Sequence, residues 1–263
     1  MARCGAPDAR AAAVTRPLIV GNWKMQGDGG WLDRVSAIAD TAAAASAIDV
    51  AMCVPATLIH RAVAAAPALA IGGQDCHWAA TGAHTGSVSA SMLRDAGARL
   101  VILGHSERRA AGDSDAVIAA KVAAAQAAGL RVILCVGETA AAREAGTAVA
   151  CVQAQLRASL PDRVGDGLVV AYEPVWAIGR GVVPGADEIA PVIAGVRGVL
   201  DARGAAESAV LYGGSVQAGV VRRLLGAVAI DGLLVGAASL DPATFGRIVT
   251  EALAPADRPL SRT

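Results

Sequence analysis

The chain has no net charge, because 23 Lys and Arg offset 23 Asp and Glu among 263 residues. That leaves no electrostatic footprint for nucleic acid or for an anionic membrane surface. No apolar run reaches bilayer length; Asp40, Asp49 and Asp231 interrupt the best candidates. The five cysteines, Cys4, Cys53, Cys76, Cys135 and Cys151, are scattered and form no C-x-x-C pair. Their scatter argues against a disulfide framework or a thiolate zinc site and for the reducing cytoplasm. The first sixteen residues lack the continuous apolar segment of a secretory signal. G-x-S-x-G and G-x-x-x-x-G-K-[ST] are also missing. His60, His77 and His84 have no companions at ligand spacing, so no metal is expected. Disorder is excluded too, since hydrophobic residues make up 54% and charged residues 17%.

An alternation organises what is present. Short β-branched runs occur at Pro17–Val20, Ile48–Val54, Leu69–Gly73, Leu100–Leu103, Val132–Val136, Leu168–Tyr172, Ala209–Tyr212 and Gly232–Val235. Between them lie Ala-rich segments with helical spacing: Trp31–Ala47, Pro55–Ala66, Ser89–Ala96, Ser114–Ala128, Thr139–Leu160, Asp187–Ala202, Val216–Leu225 and Pro242–Leu253. Ser114 and Thr139 sit where N-caps belong, and Gly129 and Gly204 where helices stop. Continuous apolar strands imply a sheet covered on both faces, and alternation with helices implies parallel pairing. Eight such units without a composition break predict an α/β fold, a single (β/α)8 barrel over residues 17–254. Residues 1–16 and 255–263 read as tails. A length near 250 suits that architecture.

In such a barrel, chemistry gathers where the strands end. The first strand runs into Gly21-Asn22-Trp23-Lys24-Met25, which puts a cation just past a buried run. The fourth leads to Gly104-His105-Ser106-Glu107, where a short helix starts. The sixth ends on Glu173, followed by Pro174-Val175-Trp176-Ala177-Ile178-Gly179. The seventh and eighth end in Gly213-Gly214-Ser215 and Gly236-Ala237-Ala238, turns whose backbone N–H groups and following helix starts suit an anion. Each feature alone also reads blandly: a surface lysine, a capped histidine, a solvated acid, a plain turn. On one face of one barrel they read together as a cation, an imidazole, a carboxylate and a phosphate cradle.

These motifs resemble the triosephosphate isomerase family. Gly21–Met25, Gly104–Arg109, Tyr172–Gly179 and Tyr212–Val216 stand as that family has them. Gly73-Gln74, Gly82–Gly86, Cys135–Thr139 and Asp231–Leu240 follow in family order, so the likeness runs from Pro17 to Leu253. The resemblance implies a cofactor-free homodimer in glycolysis and gluconeogenesis that interconverts dihydroxyacetone phosphate and glyceraldehyde 3-phosphate. It implies Glu173 as the base and neutral His105 as the electrophile, a pairing established for that family. Lys24 would supply positive charge and Asn22 a polar contact. Gly179, Ser215, Gly236 and Ala237 would bind phosphate. Pro174 to Pro184 would be the lid, with Ile178 and Leu234 pressing on Glu173 and raising its basicity. Thr85 would reach the neighbouring subunit near Lys24 and Glu107.

Some positions depart from the family pattern. Arg180 and Val182-Val183-Pro184 alter the lid and its far hinge. Pro184 has no N–H, so a family hydrogen bond to Tyr212 is not available. Ala237 adds a methyl beside the phosphate, Ser87 replaces a glutamate, and Gln26 an asparagine. These changes leave open a slightly larger ketose phosphate, such as a tetrulose phosphate, as substrate. They also leave open a catalytically weak barrel with a binding role.

Overall fold

The computed structural model describes residues 16–178 and 183–253. Eight parallel strands close into a barrel in chain order: β1 (Leu18–Asn22), β2 (Asp49–Cys53), β3 (Ala70–Gly73), β4 (Leu100–Leu103), β5 (Arg131–Val136), β6 (Leu168–Tyr172), β7 (Ala209–Tyr212) and β8 (Gly232–Val235). The expected fold class is therefore the observed one. Around the barrel stand helices α1 (Leu32–Ala44), α2 (Ile59–Ala65), α3 (Ala90–Asp95), α4 (Ser106–Ala110), α5 (Asp115–Ala127), α6 (Ala140–Glu144), α7 (Ala148–Ser159), α8 (Ala186–Ala202), α9 (Val221–Ala227) and α10 (Pro242–Leu253). The tails read from the sequence fall outside the described residues, apart from Arg16.

Strand alternation divides the apolar residues between two cores. Leu18, Val20, Ala51, Cys53, Leu100, Ile102, Ile133, Val169, Ala171, Leu211 and Leu234 fill the barrel interior. Their neighbours Ile19, Met52, Val101, Leu103, Val132, Leu134, Val170 and Val210 point outward against the helices. Both faces of every strand are thus covered, which is why the runs are continuous rather than alternating. The closing seam between β8 and β1 depends on Gly232, where a Cβ would collide with the Leu18 carbonyl.

Local signals place the helix ends. Ser114 and Thr139 accept from Val117 N–H and Ala142 N–H as N-caps. Gly129 and Gly204 take φ of +74° and +69° just past α5 and α8. Two expectations fail. The segment Thr139–Leu160 is not one helix: it breaks after Glu144, where Gly146 adopts φ +70°, and restarts at Ala148. The helix expected from Val216 begins only at Val221, after Gly219 at φ +91°. In both cases residues that favour helix surround a glycine that ends one path of the chain and starts another.

The aromatic share of the chain is 3%, so its one phenylalanine carries much of a local core. Phe245 of α10 is completely buried. Phe245→Ala is expected to cost about 3–5 kcal/mol of stability, the usual range for emptying such a site. Urea unfolding measures it; a loss below about 1 kcal/mol would show that α10 is loosely packed.

Candidate active site

A cleft of about 400 Å³ opens where the strands end. Asn22, Lys24, His105, Glu173, Ser215, Gly236 and Ala237 all line it, with Ile178 and Leu234. The structure thus brings together the expected site residues, except Gly179, which lies outside the described residues with Arg180 and Val182.

Lys24 is placed by backbone strain. Among the described residues it alone, glycines aside, has a positive φ, +55°. Asn22 Oδ1 accepts its N–H at 3.0 Å and holds that conformation. A non-glycine residue in the left-handed region costs roughly 1–2 kcal/mol and persists where its surroundings impose it. Asn22 is therefore a brace for Lys24. Trp23 between them is buried and donates Nε1–H to Ser239 O at 3.0 Å, which ties the end of β1 to the turn after β8. Lys24 Nζ donates to Glu107 Oε1 at 2.6 Å. Burial pulls the Glu107 carboxyl upward, but the bond to Lys24 and its charge outweigh that, so Glu107 sits below the ordinary carboxylate range.

His105 caps α4 with its ring. Its Nδ1 accepts the Glu107 N–H at 3.2 Å, so the proton of the neutral ring lies on Nε2. Nε2 faces Glu173 Oε1 at 3.1 Å, while Glu173 Oε2 accepts the Ser106 N–H at 3.0 Å. Glu173 is only 2% exposed. Its backbone is seated by its own N–H donating to Val136 O at 2.8 Å, and by Gly137, where any Cβ would collide with the Glu173 carbonyl. Cys135 lies beneath it: burial first, then the Glu173 charge, pushes that thiol up and keeps it neutral. Ser106 and Cys135 stand within the motifs, but their spacing in the chain does not announce these contacts.

The anion side is built from backbone. Gly213 N–H is committed to Tyr172 O at 2.8 Å, and Ser215 Oγ donates to Ala177 O at 3.2 Å. After β8 the chain enters a 3-10 turn, Ala237–Ser239, braced by Ser239 Oγ donating to Gly236 O at 2.7 Å. The helix dipole expected behind Ser215 is not there, because α9 starts at Val221. Among the described residues no three His, Cys, Asp or Glu side chains gather as a metal site. His77 and His84 do meet, but ring against ring at 3.9 Å between centroids.

Both flanks of the segment after Glu173 are anchored outside the cleft. Fully buried Glu138 Oε1 accepts Tyr172 Oη–H at 3.0 Å and Trp176 Nε1–H at 2.7 Å. Arg143 lies over the Trp176 ring at 4.3 Å and bonds Glu188, which accepts the Gly185 N–H at 2.8 Å. Tyr212 differs: its buried hydroxyl has no hydrogen-bond partner among the described residues. That agrees with the expectation that Pro184, itself buried, has no N–H to offer it.

The sequence profile described as Triosephosphate isomerase matches residues 17–252. The chain is 53% identical over 241 residues to the triosephosphate isomerase of a Ruegeria species, covering 90% of this chain and 98% of that one. It is 49% identical over 240 residues to that of Xanthobacter flavus, covering 89% and 96%. The crystal structure of triosephosphate isomerase from Bartonella henselae superposes with a TM-score of 0.83 at 39% identity, covering 90% of this chain and 99% of that one.

The two buried tyrosines are expected to behave oppositely. Tyr172→Phe strips a donor from buried Glu138 and should cost about 1–3 kcal/mol. Tyr212→Phe removes a hydroxyl without a partner among the described residues and should be neutral or stabilising. Thermal unfolding distinguishes them; equal losses would mean that Tyr212 is bonded after all. The Lys24–Glu107 pair predicts a pH dependence. With the folded value below the unfolded one, its contribution is complete above the ordinary value of about 4.3 and disappears as pH falls through the lowered value. Lys24→Met should remove that component of the urea midpoint's pH profile. Parallel profiles for the two proteins would contradict it.

Proposed function

The chain belongs to the triosephosphate isomerase family, and on that premise we propose that it interconverts dihydroxyacetone phosphate and glyceraldehyde 3-phosphate through one mobile proton on Glu173. The observation that carries this reading is the meeting of Lys24, His105 and Glu173 in one cleft beside the Ser215 and Gly236–Ala237 turns. The turns take the phosphate through backbone N–H groups, and Lys24 adds a positive charge near it. Glu173 removes a proton from the carbon bearing the hydroxyl. The electron pair of that C–H bond becomes the C=C bond of an enediolate, and the carbonyl oxygen takes the negative charge.

Donors already aimed at that oxygen lower the barrier without reorganising. His105 suits the task because its capping bond leaves Nε2–H pointing into the cleft. Lys24 Nζ is the second donor. Glu173 then returns its proton to the neighbouring carbon, while His105 moves a proton between the two oxygens. In the structure the carboxylate is engaged by Ser106 N–H and His105. To reach a substrate carbon it leaves Ser106, which requires the segment after it to shift. Gly179, outside the described residues, joins the phosphate contacts, and the lid carries Arg180. Shielding is part of the chemistry, because an enediolate exposed to water loses its phosphate.

The chain acts as a homodimer in which the Thr85 loop reaches the neighbouring subunit. Support comes from large apolar side chains left open to solvent: Met25, next to Lys24 in the chain, is 96% exposed and Trp78 46% exposed. Among the described residues no helix is long and apolar enough to cross a membrane, and Cys53, Cys76, Cys135 and Cys151 are free thiols. Both fit work in the cytoplasm.

A coupled isomerase assay tests the reading. Glu173→Gln is expected to lower kcat by about 10²–10⁴, the usual share of a general base, with KM changed only a few-fold. A kcat within tenfold of wild type would overturn the assignment of the base.

A further inference from the structure

The cleft is not the only sizeable cavity among the described residues. A second one, of about 440 Å³, lies at the opposite end of the barrel, where the strands begin. That end of a barrel is ordinarily a packed floor with a role in stability. Here small side chains leave it open. Ala39, Ala42 and Ala43 of α1 line it with Ala51 of β2 and Ala70 at the start of β3, and Ile48, Leu69 and Leu100 complete apolar walls. The volume falls in the range that small ligands fill.

The rim is charged. Asp49, Arg99 and Arg131 stand around the opening. Asp49 is partnered by Arg16 at 3.8 Å, so their charges offset each other. Arg99 donates one N–H to Pro67 O at 3.1 Å and forms no ion pair among the described residues. Arg131 passes beside Gly167, where a Cβ would lie 3.7 Å from its Cγ, and forms no ion pair among the described residues. An apolar cavity rimmed by two guanidiniums that no described carboxylate pairs selects an anion with an apolar body. The chain's own end stretches match this field poorly. Residues 1–15 carry Arg3 and Arg10 against Asp8, and residues 254–263 carry Arg258 and Arg262 against Asp257.

We propose that this floor cavity is a binding site for a small amphiphilic anion, a medium-chain alkyl carboxylate. Its alkyl tail lies along the alanine wall of α1, and its carboxylate meets Arg131 and Arg99. The site is independent of the chemistry at the other end of the barrel, so its failure would leave the proposed function standing.

Calorimetric titration of the full-length chain with hexanoate, octanoate and neutral octanol tests the proposal. Octanoate should bind about tenfold more tightly than hexanoate, as two further buried methylenes require. Octanol should bind at least threefold more weakly than octanoate. Ala42→Leu, which fills the cavity, should weaken octanoate at least tenfold. Arg131→Gln, an exposed position that leaves the core untouched, should weaken it at least threefold and abolish the preference over octanol. The affinity for 2-phosphoglycolate, which reports on the opposite end, should stay within twofold in every variant. The absence of saturable octanoate binding would overturn the proposal, as would equal affinity for octanol or binding that survives both substitutions.

Discussion

The site depends on the two-sided hold on the Glu173 carboxylate. One oxygen accepts the Ser106 N–H and the other faces His105 Nε2. A carboxylate with 2% exposure has lost nearly all its water, and these contacts replace it. The same two neighbours belong to one short segment, because α4 begins at Ser106 with His105 as its cap. The start of one helix therefore holds the Glu173 carboxylate, fixes the tautomer of His105 and positions Glu107 against Lys24. Few single changes in that segment would leave only one of these functions altered.

The barrel makes such precision affordable in a chain so poor in aromatics. Adjacent parallel strands bring the ends of β5 and β6 together, and Gly137 lets the Glu173 backbone approach closer than any side chain would allow. Trp23 links the end of β1 to the turn after β8, so Lys24 and that turn share one anchor. The strain at Lys24 is localised and is held by Asn22 rather than spread through the core. Chemistry and packing are divided by level: the inner and outer apolar layers keep the barrel rigid, and polar contacts crowd its upper rim.

Much of this was legible in the residues. Fully buried strands declare themselves as continuous Val, Ile and Leu runs, and a charged side chain directly after such a run is conspicuous. That is why Lys24, His105 and Glu173 stood out. Contacts between distant backbones were not legible. Nothing in the order of letters says that Ser106 N–H will meet residue 173, that Cys135 will lie beneath it, or that Glu138 will collect a tyrosine and a tryptophan. Helix periodicity also misleads in two stretches, where Gly146 and Gly219 redirect the chain. Alanine is at home in every helix and fills little space, so composition predicted the helices of this barrel but not the opening left in its floor. Tyr212 is an intermediate case: Pro184 is visible in the chain, but only the fold shows a buried hydroxyl with no partner among the described residues.

The central claim is that a proton, borne by Glu173, passes between adjacent carbons of the substrate. The most direct measurement is isomerisation in deuterium oxide, with the product's carbon-bound hydrogen followed by mass spectrometry. A carboxylate that holds the proton between two transfers exchanges part of it with solvent, so deuterium is expected on the carbon next to the new carbonyl. Turnover that yields product free of deuterium would mean that hydrogen passes directly between the carbons, and would contradict the account.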